Sequence, residues 1–153
     1  MELSHIDEKG DAIMVDISAK NPTAREAVAC GKIYMQRRTL ALVVSGDMPK
    51  GDVMAVARVA GIMAAKRTHE LIPMCHSIPL DSVKLELAVN LDELCIDIKG
   101  AVKCIWKTGV EMEALTAVTI AGLTLYDMCK AVDKTMVIGN VRLIKKSGGK
   151  SAI

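Results

Sequence analysis

The side chains most suited to chemistry in this chain are carboxylates and lysines set close together on apolar segments. Asp127 and Lys130 stand at i and i+3 of a helix-periodic run. That spacing puts both on one helix face, where each shifts the other's pKa and the two can share a proton transfer. The same spacing also describes an ordinary surface ion pair. Glu111 and Glu113 open the run, and Glu111 also suits the third position of a Thr108–Glu111 capping box. Cys75 and His76 are adjacent and could ligate a metal, but no second pair stands at ligand spacing, so no metal site is expected. For His76 the plainer reading is a partly buried structural histidine. Lysines on separated segments can supply point charges to phosphate without a P-loop. Gly148-Gly149-Lys150-Ser151 imitates the end of a Walker motif, but position 144 is Ile where the motif needs Gly, which excludes a P-loop and leaves a flexible lid as the expectation.

The elements that must position these residues are legible from their periods. Val83, Leu85, Leu87 and Val89 alternate with polar or small residues, as do Leu94, Ile96 and Ile98; the turn at Asn90 to Glu93 makes them a hairpin. Asp52 caps a helix running to about Leu71, where Pro73 forbids continuation, and Thr39 to Val44 suits a short helix before it. Leu115, Val118, Gly122, Leu125, Cys129 and Val132 form the core stripe of a second long helix. Flanking strands fall at 27–36 and 137–144. The order strand, helix, strand, strand, helix, strand predicts an α+β, ferredoxin-like fold, an antiparallel sheet with helices on one face. The second long helix also carries Ile120 and Leu123 away from its core stripe, so a second face is expected to be covered, with Asp127 on it.

Composition narrows the function classes. The chain has 153 residues, 51% of them apolar, and no Phe, which predicts one domain (1–153) with an irregular segment over 1–25 and a flexible tail over 147–153. Apolar surface in excess on so small a domain suggests a homo-oligomer. A net charge of +2 argues against bulk nucleic-acid or membrane binding. Five cysteines without a C-x-x-C pair, and an N-terminus without an apolar run, read as free thiols in a cytoplasmic protein without a signal peptide. The longest uncharged stretch, Ala114 to Tyr126, is too short to span a membrane.

Five segments carry a resemblance: MVDISAK at 14–20, KGDVMAVARVAGIMAAKRT at 50–68, KRTHELIPMCHSIPL at 66–80, TGVEMEAL at 108–115 with TLYDMCKAV at 124–132, and VRLIKKSGGKS at 141–151. Together they resemble the cyclic pyranopterin monophosphate synthase family, also called molybdenum cofactor biosynthesis protein C, over nearly the whole chain. The resemblance implies a ferredoxin-like fold assembled as a hexamer, a trimer of dimers with the site at a dimer interface. It implies a lyase of molybdenum cofactor biosynthesis that converts 3′,8-cyclo-7,8-dihydro-GTP to cyclic pyranopterin monophosphate and diphosphate, with no cofactor named. On this sequence the family's catalytic residues match Asp127, Lys130 and Lys50. Its substrate contacts match Met74, Cys75, His76, Glu111, Met112, Glu113, Lys66 and Lys146. Ser77 replaces a frequent Pro and Trp106 a smaller or polar residue; neither removes a charged site residue.

These residue types suit that chemistry. Lysines stabilise the charge that grows on a departing diphosphate. A carboxylate such as Glu113 can accept from the N1–H and N2–H₂ donors of guanine. Three rivals stand against it: a non-catalytic nucleotide-binding module on the same fold, an RNA-binding domain, and a zinc-dependent GTP cyclohydrolase. The second needs stacking aromatics on the sheet, where the expected strands offer only Tyr34, and the third a ligand constellation that the sequence lacks.

Overall fold

Alternation carries the sheet further than the clearest runs of the sequence indicate. In the computed structural model, which describes residues 5–149, strand β3 spans Cys95–Trp106 rather than ending near Ile98. Ile96, Ile98, Gly100, Val102 and Cys104 are buried in alternation with Asp97, Lys99, Ala101, Lys103 and Ile105. Gly100 and Cys104 break the apolar look of the pattern without breaking its period of two. The partner strand β2 spans Ser82–Asn90 and pairs along its whole length with β3. Strand β1 (Thr23–Tyr34) starts earlier than expected, and β4 (Val137–Ser147) ends later. The antiparallel order β2-β3-β1-β4 is that of the ferredoxin-like fold.

Between β1 and β2 lie α1 (Arg37–Ser45), α2 (Val53–Lys66) and the single turn α3 (Thr68–Leu71); α4 (Glu111–Cys129) connects β3 to β4. Asp52 caps α2 as expected, its carboxylate accepting from the Ala55 amide at 2.9 Å. The helix does not run unbroken to Leu71. The buried Thr68 hydroxyl bonds back to the carbonyls of Ala64 (3.3 Å) and Ala65 (3.0 Å), closing α2 before α3 begins. The capping box expected at the start of α4 does not form: the N-cap is the buried Val110, with no side-chain bond to the helix amides.

The core lies between the sheet and the α2–α4 layer. Ile33, Ile96, Ile98 and Val102 face Val118 and Leu125, all at most 1% exposed. The two helices approach closely because their contact is built from small residues, Ala57, Gly61, Ala114, Ala117 and Ala121. A Cβ at Gly61 would lie 2.7 Å from the Ala117 carbonyl oxygen and 2.3 Å from Leu85 Cδ1, so even Ala cannot be accommodated there without movement. This small-residue seam explains how a chain without Phe packs tightly.

One residue that the sequence reading did not single out locks two connections together. Asp133, 2% exposed, accepts from the Gln36 amide (2.9 Å), the Thr39 hydroxyl (3.1 Å), and the Thr135 amide (2.9 Å) and hydroxyl (2.7 Å). Burial alone pushes its carboxyl up, but the donors from Gln36, Thr135 and Thr39 hold it below the ordinary Asp range. The chain leaving α4 is thereby tied to the start of α1, and α1 leads to the loop that carries Lys50.

Candidate active site

Asp127 faces outward from the last turn of α4, opposite the buried Leu125 and Cys129. Lys130 Nζ lies 2.6 Å from its Oδ1, and Lys50 Nζ 2.9 Å from its Oδ2 and 3.1 Å from its carbonyl oxygen. The three expected catalytic residues therefore form one cluster, joined from two segments far apart in sequence. Hydrogen bonds from Lys130 and Lys50 lower the Asp127 carboxyl to about 2, and Asp127 in turn raises the Lys130 ammonium. In the single chain, with the outer face of the helix uncovered, the Asp127 side chain is 54% exposed. There the ion pair with Asp127 dominates Lys130 and holds its proton.

The expected substrate contacts gather at the other end of the same helix. Met74, Cys75, His76, Met112 and Glu113 line a cleft of about 450 Å³ with Glu111, Ile78 and the N-terminal residues His5, Val15, Ile17 and Lys20. Glu113 is 3% exposed, and burial raises its carboxyl to about 7, with the neighbouring Glu111 charge adding to the shift. Burial, followed by the Glu113 charge, also raises the Cys75 thiol, so it is a neutral thiol rather than a nucleophilic thiolate at neutral pH.

A second cleft of about 400 Å³ adjoins the first and shares Lys20, Thr108, Gly109 and Glu111 with it. Its walls add Asn21, Arg25, Lys107, Lys146 and Gly149. Lys146 pairs with Glu111, which explains why Glu111 is taken up here instead of in a capping box. Gly109 lies directly beneath this pair: a Cβ there would come within 1.9 Å of Glu111 Oε2, so any side chain at 109 would move the Glu111 carboxylate. Arg25 Nε is buried without a hydrogen-bond partner among the described residues. Lys20, Arg25 and Lys107 escaped the sequence reading because they are spread over separate segments; only the cleft shows that four cations share a wall. Lys150 and Ser151 of the expected lid lie outside the described residues.

The two ends of α4 lie far apart within one chain. From Glu113 to Asp127 the helix rises roughly 21 Å, at 1.5 Å per residue. Lys50, Lys66 and Lys146 accordingly do not converge within the chain. Lys50 is with Asp127, while Lys146 is with Glu111. Helix α2 runs antiparallel to α4, with Gly61 over Ala117, so Lys66 at its C-terminus lies toward the Glu113 end. Between the two ends, the outward surface of α2 and α4 exposes Val56, Val59, Met63 and Leu123. No group of three or more His, Cys, Asp or Glu suited to a metal occurs among the described residues. No helix there is long and apolar enough to cross a membrane.

The model of the MoaC family matches residues 14–149. The chain is 56% identical over 153 residues to a cyclic pyranopterin monophosphate synthase of Thermoanaerobacter sp. (strain X514), covering 100% of this chain and 97% of that protein. It is 59% identical over 150 residues to one of Chloroflexus aurantiacus, covering 98% and 92%. With one of Desulfitobacterium hafniense it is 58% identical over 151 residues, covering 99% and 92%.

Proposed function

The chain belongs to the MoaC family, and from that premise we propose that it is a cyclic pyranopterin monophosphate synthase. It converts 3′,8-cyclo-7,8-dihydro-GTP to cyclic pyranopterin monophosphate and diphosphate in molybdenum cofactor biosynthesis. The observation that carries this reading is the pair of joined clefts at the Glu113 end of α4. One cleft gathers four cations around Glu111, and the other adds sulfur, imidazole and the Glu113 carboxyl to the shared Lys20 and Glu111, a division that suits the two ends of a nucleoside triphosphate. Lys20, Arg25, Lys107 and Lys146 suit the phosphates. Met74, Cys75, His76, Met112 and Glu113 suit the guanine-derived base, with Glu113 accepting from its N–H donors once ionised.

The Lys50–Asp127–Lys130 cluster supplies the remaining function, proton transfer and stabilisation of leaving charge. Asp127 holds two ammonium groups in fixed positions. Such ammonium groups can donate protons and balance the charge of departing diphosphate. Since this cluster stands a helix length from the clefts, the complete site needs a second copy of the chain. An isologous contact on the apolar α2–α4 surface would bring the Asp127 end of one copy to the Glu113 end of the other. Lys66, at the Glu113 end of α2, then joins the rim. Covering Asp127 this way would also dry it, strengthening its interactions. Three such dimers would make the hexamer that the resemblance implies. No cofactor enters this scheme.

The test mixes the purified protein with the cyclised GTP derivative and measures pterin and diphosphate together. Binding without either product would favour the non-catalytic module. Sedimentation at micromolar concentration checks the assembly: a monomer that retains full activity would end the shared-site scheme.

A further inference from the structure

The segment between the Ile6–Ala12 bridge and β1 has no regular secondary structure, yet side chains from later in the chain hold it down. His76 Nε2 lies 2.7 Å from the Val15 carbonyl oxygen. Lys107 Nζ donates to the Ser18 carbonyl at 2.9 Å. Val15, Ile17 and Lys20 become a wall of the base-side cleft as a result. A carbonyl oxygen can only accept, so the proton of the shorter contact belongs to His76 Nε2. In a neutral imidazole the other nitrogen is then a bare lone pair. No group among the described residues is hydrogen-bonded to His76 Nδ1.

We propose that the Val15 carbonyl fixes His76 as its Nε2–H tautomer, so that Nδ1 accepts a hydrogen bond from an N–H of the substrate's guanine-derived base. The inference rests on the base occupying this cleft, as proposed above. It assigns the N-terminal strap a positioning role: the strap makes a histidine that could donate or accept into an acceptor only. The other cleft groups leave a need for one. Burial keeps the Cys75 thiol protonated, and Met74 and Met112 offer only weakly accepting sulfur. Glu113 is raised to about 7 and becomes a full acceptor only on losing its proton. A base with several N–H donors meets in His76 an acceptor oriented before it arrives. A histidine merely satisfied within the core would have no such directional consequence.

Two measurements on the full-length protein test this. With ¹⁵N-labelled histidine, two-bond ¹H–¹⁵N correlation separates protonated from bare ring nitrogens. The chain has only three histidines, His5, His69 and His76, and His76→Gln identifies the third by its loss. A protonated Nε2 and bare Nδ1 are expected in the neutral ring; the opposite tautomer overturns the proposal. The second measurement compares His76→Gln with His76→Asn. The Gln amide nitrogen can occupy the Nε2 position and keep the Val15 contact but provides nothing at Nδ1, whereas Asn reaches only the Nδ1 position. His76→Gln should leave the hydrogen-bonded amides of Ile13, Ser18 and Lys20 exchanging as in the wild type while lowering kcat/KM roughly ten- to hundredfold, the cost of an unpaired substrate donor. His76→Asn should expose those amides to exchange. Unchanged kcat/KM in the Gln variant, or unchanged strap protection in the Asn variant, would overturn the assignment. If the wild-type protein leaves the cyclised nucleotide unchanged, the functional reading fails by itself, because the tautomer and exchange measurements require no substrate.

Discussion

At the C-terminal end of α4 a carboxylate stands in water between two ammonium groups; at the N-terminal end a carboxyl of the same helix is sealed to 3% exposure, with no ion pair among the described residues. Asp127 is lowered to about 2 by its lysines, and Glu113 is raised to about 7 by burial. Both are acidic side chains on one continuous helix, so the difference is set by neighbours and solvent, not by chemical type. It teaches that the two ends are prepared for different tasks. The Asp127 end is permanently charged and already holds its cations. The Glu113 end keeps a proton that binding partners can displace. In the shared-site scheme proposed above, neither end is a complete site by itself.

The strongest way to break this comparison is at the charged end. Asp127→Asn keeps the shape, removes the negative charge that holds Lys50 and Lys130, and should lower turnover at least ~10²-fold while preserving assembly. Lys130→Ala should lose a comparable amount, and the double variant much less than the product of the two losses. Steady-state turnover with sedimentation on the same preparations checks this; near-wild-type turnover in Asp127→Asn would remove the cluster from the mechanism.

A second prediction sharpens the claim that the ends act across copies. Asp127→Asn and Glu113→Gln should each be poorly active alone. Random two-fold mixing of the pair should restore about a quarter of wild-type activity, because half of the dimers then carry one intact site out of two. Co-expression with two affinity tags and assay of the doubly tagged fraction provides the readout. No recovery in that fraction would mean both ends serve one chain.

The phosphate side is expected to respond more weakly. Lys146→Ala or Arg25→Ala should raise KM several-fold to about tenfold, the scale of one charge-assisted contact. Lys50→Ala, at the other end, should act mainly on kcat. Initial-rate kinetics separates the two, and identical KM and kcat effects at both ends would erase the distinction drawn between them.

The smallest effect is on stability. Because the folded carboxyl of Glu113 is raised from 4.5 to about 7, the native state binds more protons than the unfolded chain between those values. Its contribution is therefore fully present below about pH 4.5 and is lost as pH rises through 7. Urea unfolding at pH 5 and pH 8 should show Glu113→Gln gaining about 1–3 kcal/mol on the wild type at the higher pH. An equal difference at both values would show that burial does not hold the proton. Asp127 shows the opposite sign: lowered to about 2, its pairing is present above the ordinary Asp range and is lost only as pH falls toward 2.

The sequence by itself determined the element order and the core faces, because alternation in 83–89 and the stripe Val118, Gly122, Leu125, Cys129 are local periods that any fold must bury on one side. It also placed Asp127 and Lys130 on one outward face, a matter of helical geometry alone. The family motifs identified the residues worth testing, and Lys50 could be matched to Asp127 only through them. What only the tertiary structure decided depends on contacts between distant segments. Lys50 reaches Asp127 because Asp133 ties the α4 exit to the start of α1. Glu111 leaves the capping box for Lys146, arriving on β4. Arg25, Lys20 and Lys107 become one cationic wall only when β1, the strap and the turn after β3 meet. The pKa contrast along α4 likewise follows from which end is covered, and burial is a property of the packed chain that no local spacing encodes.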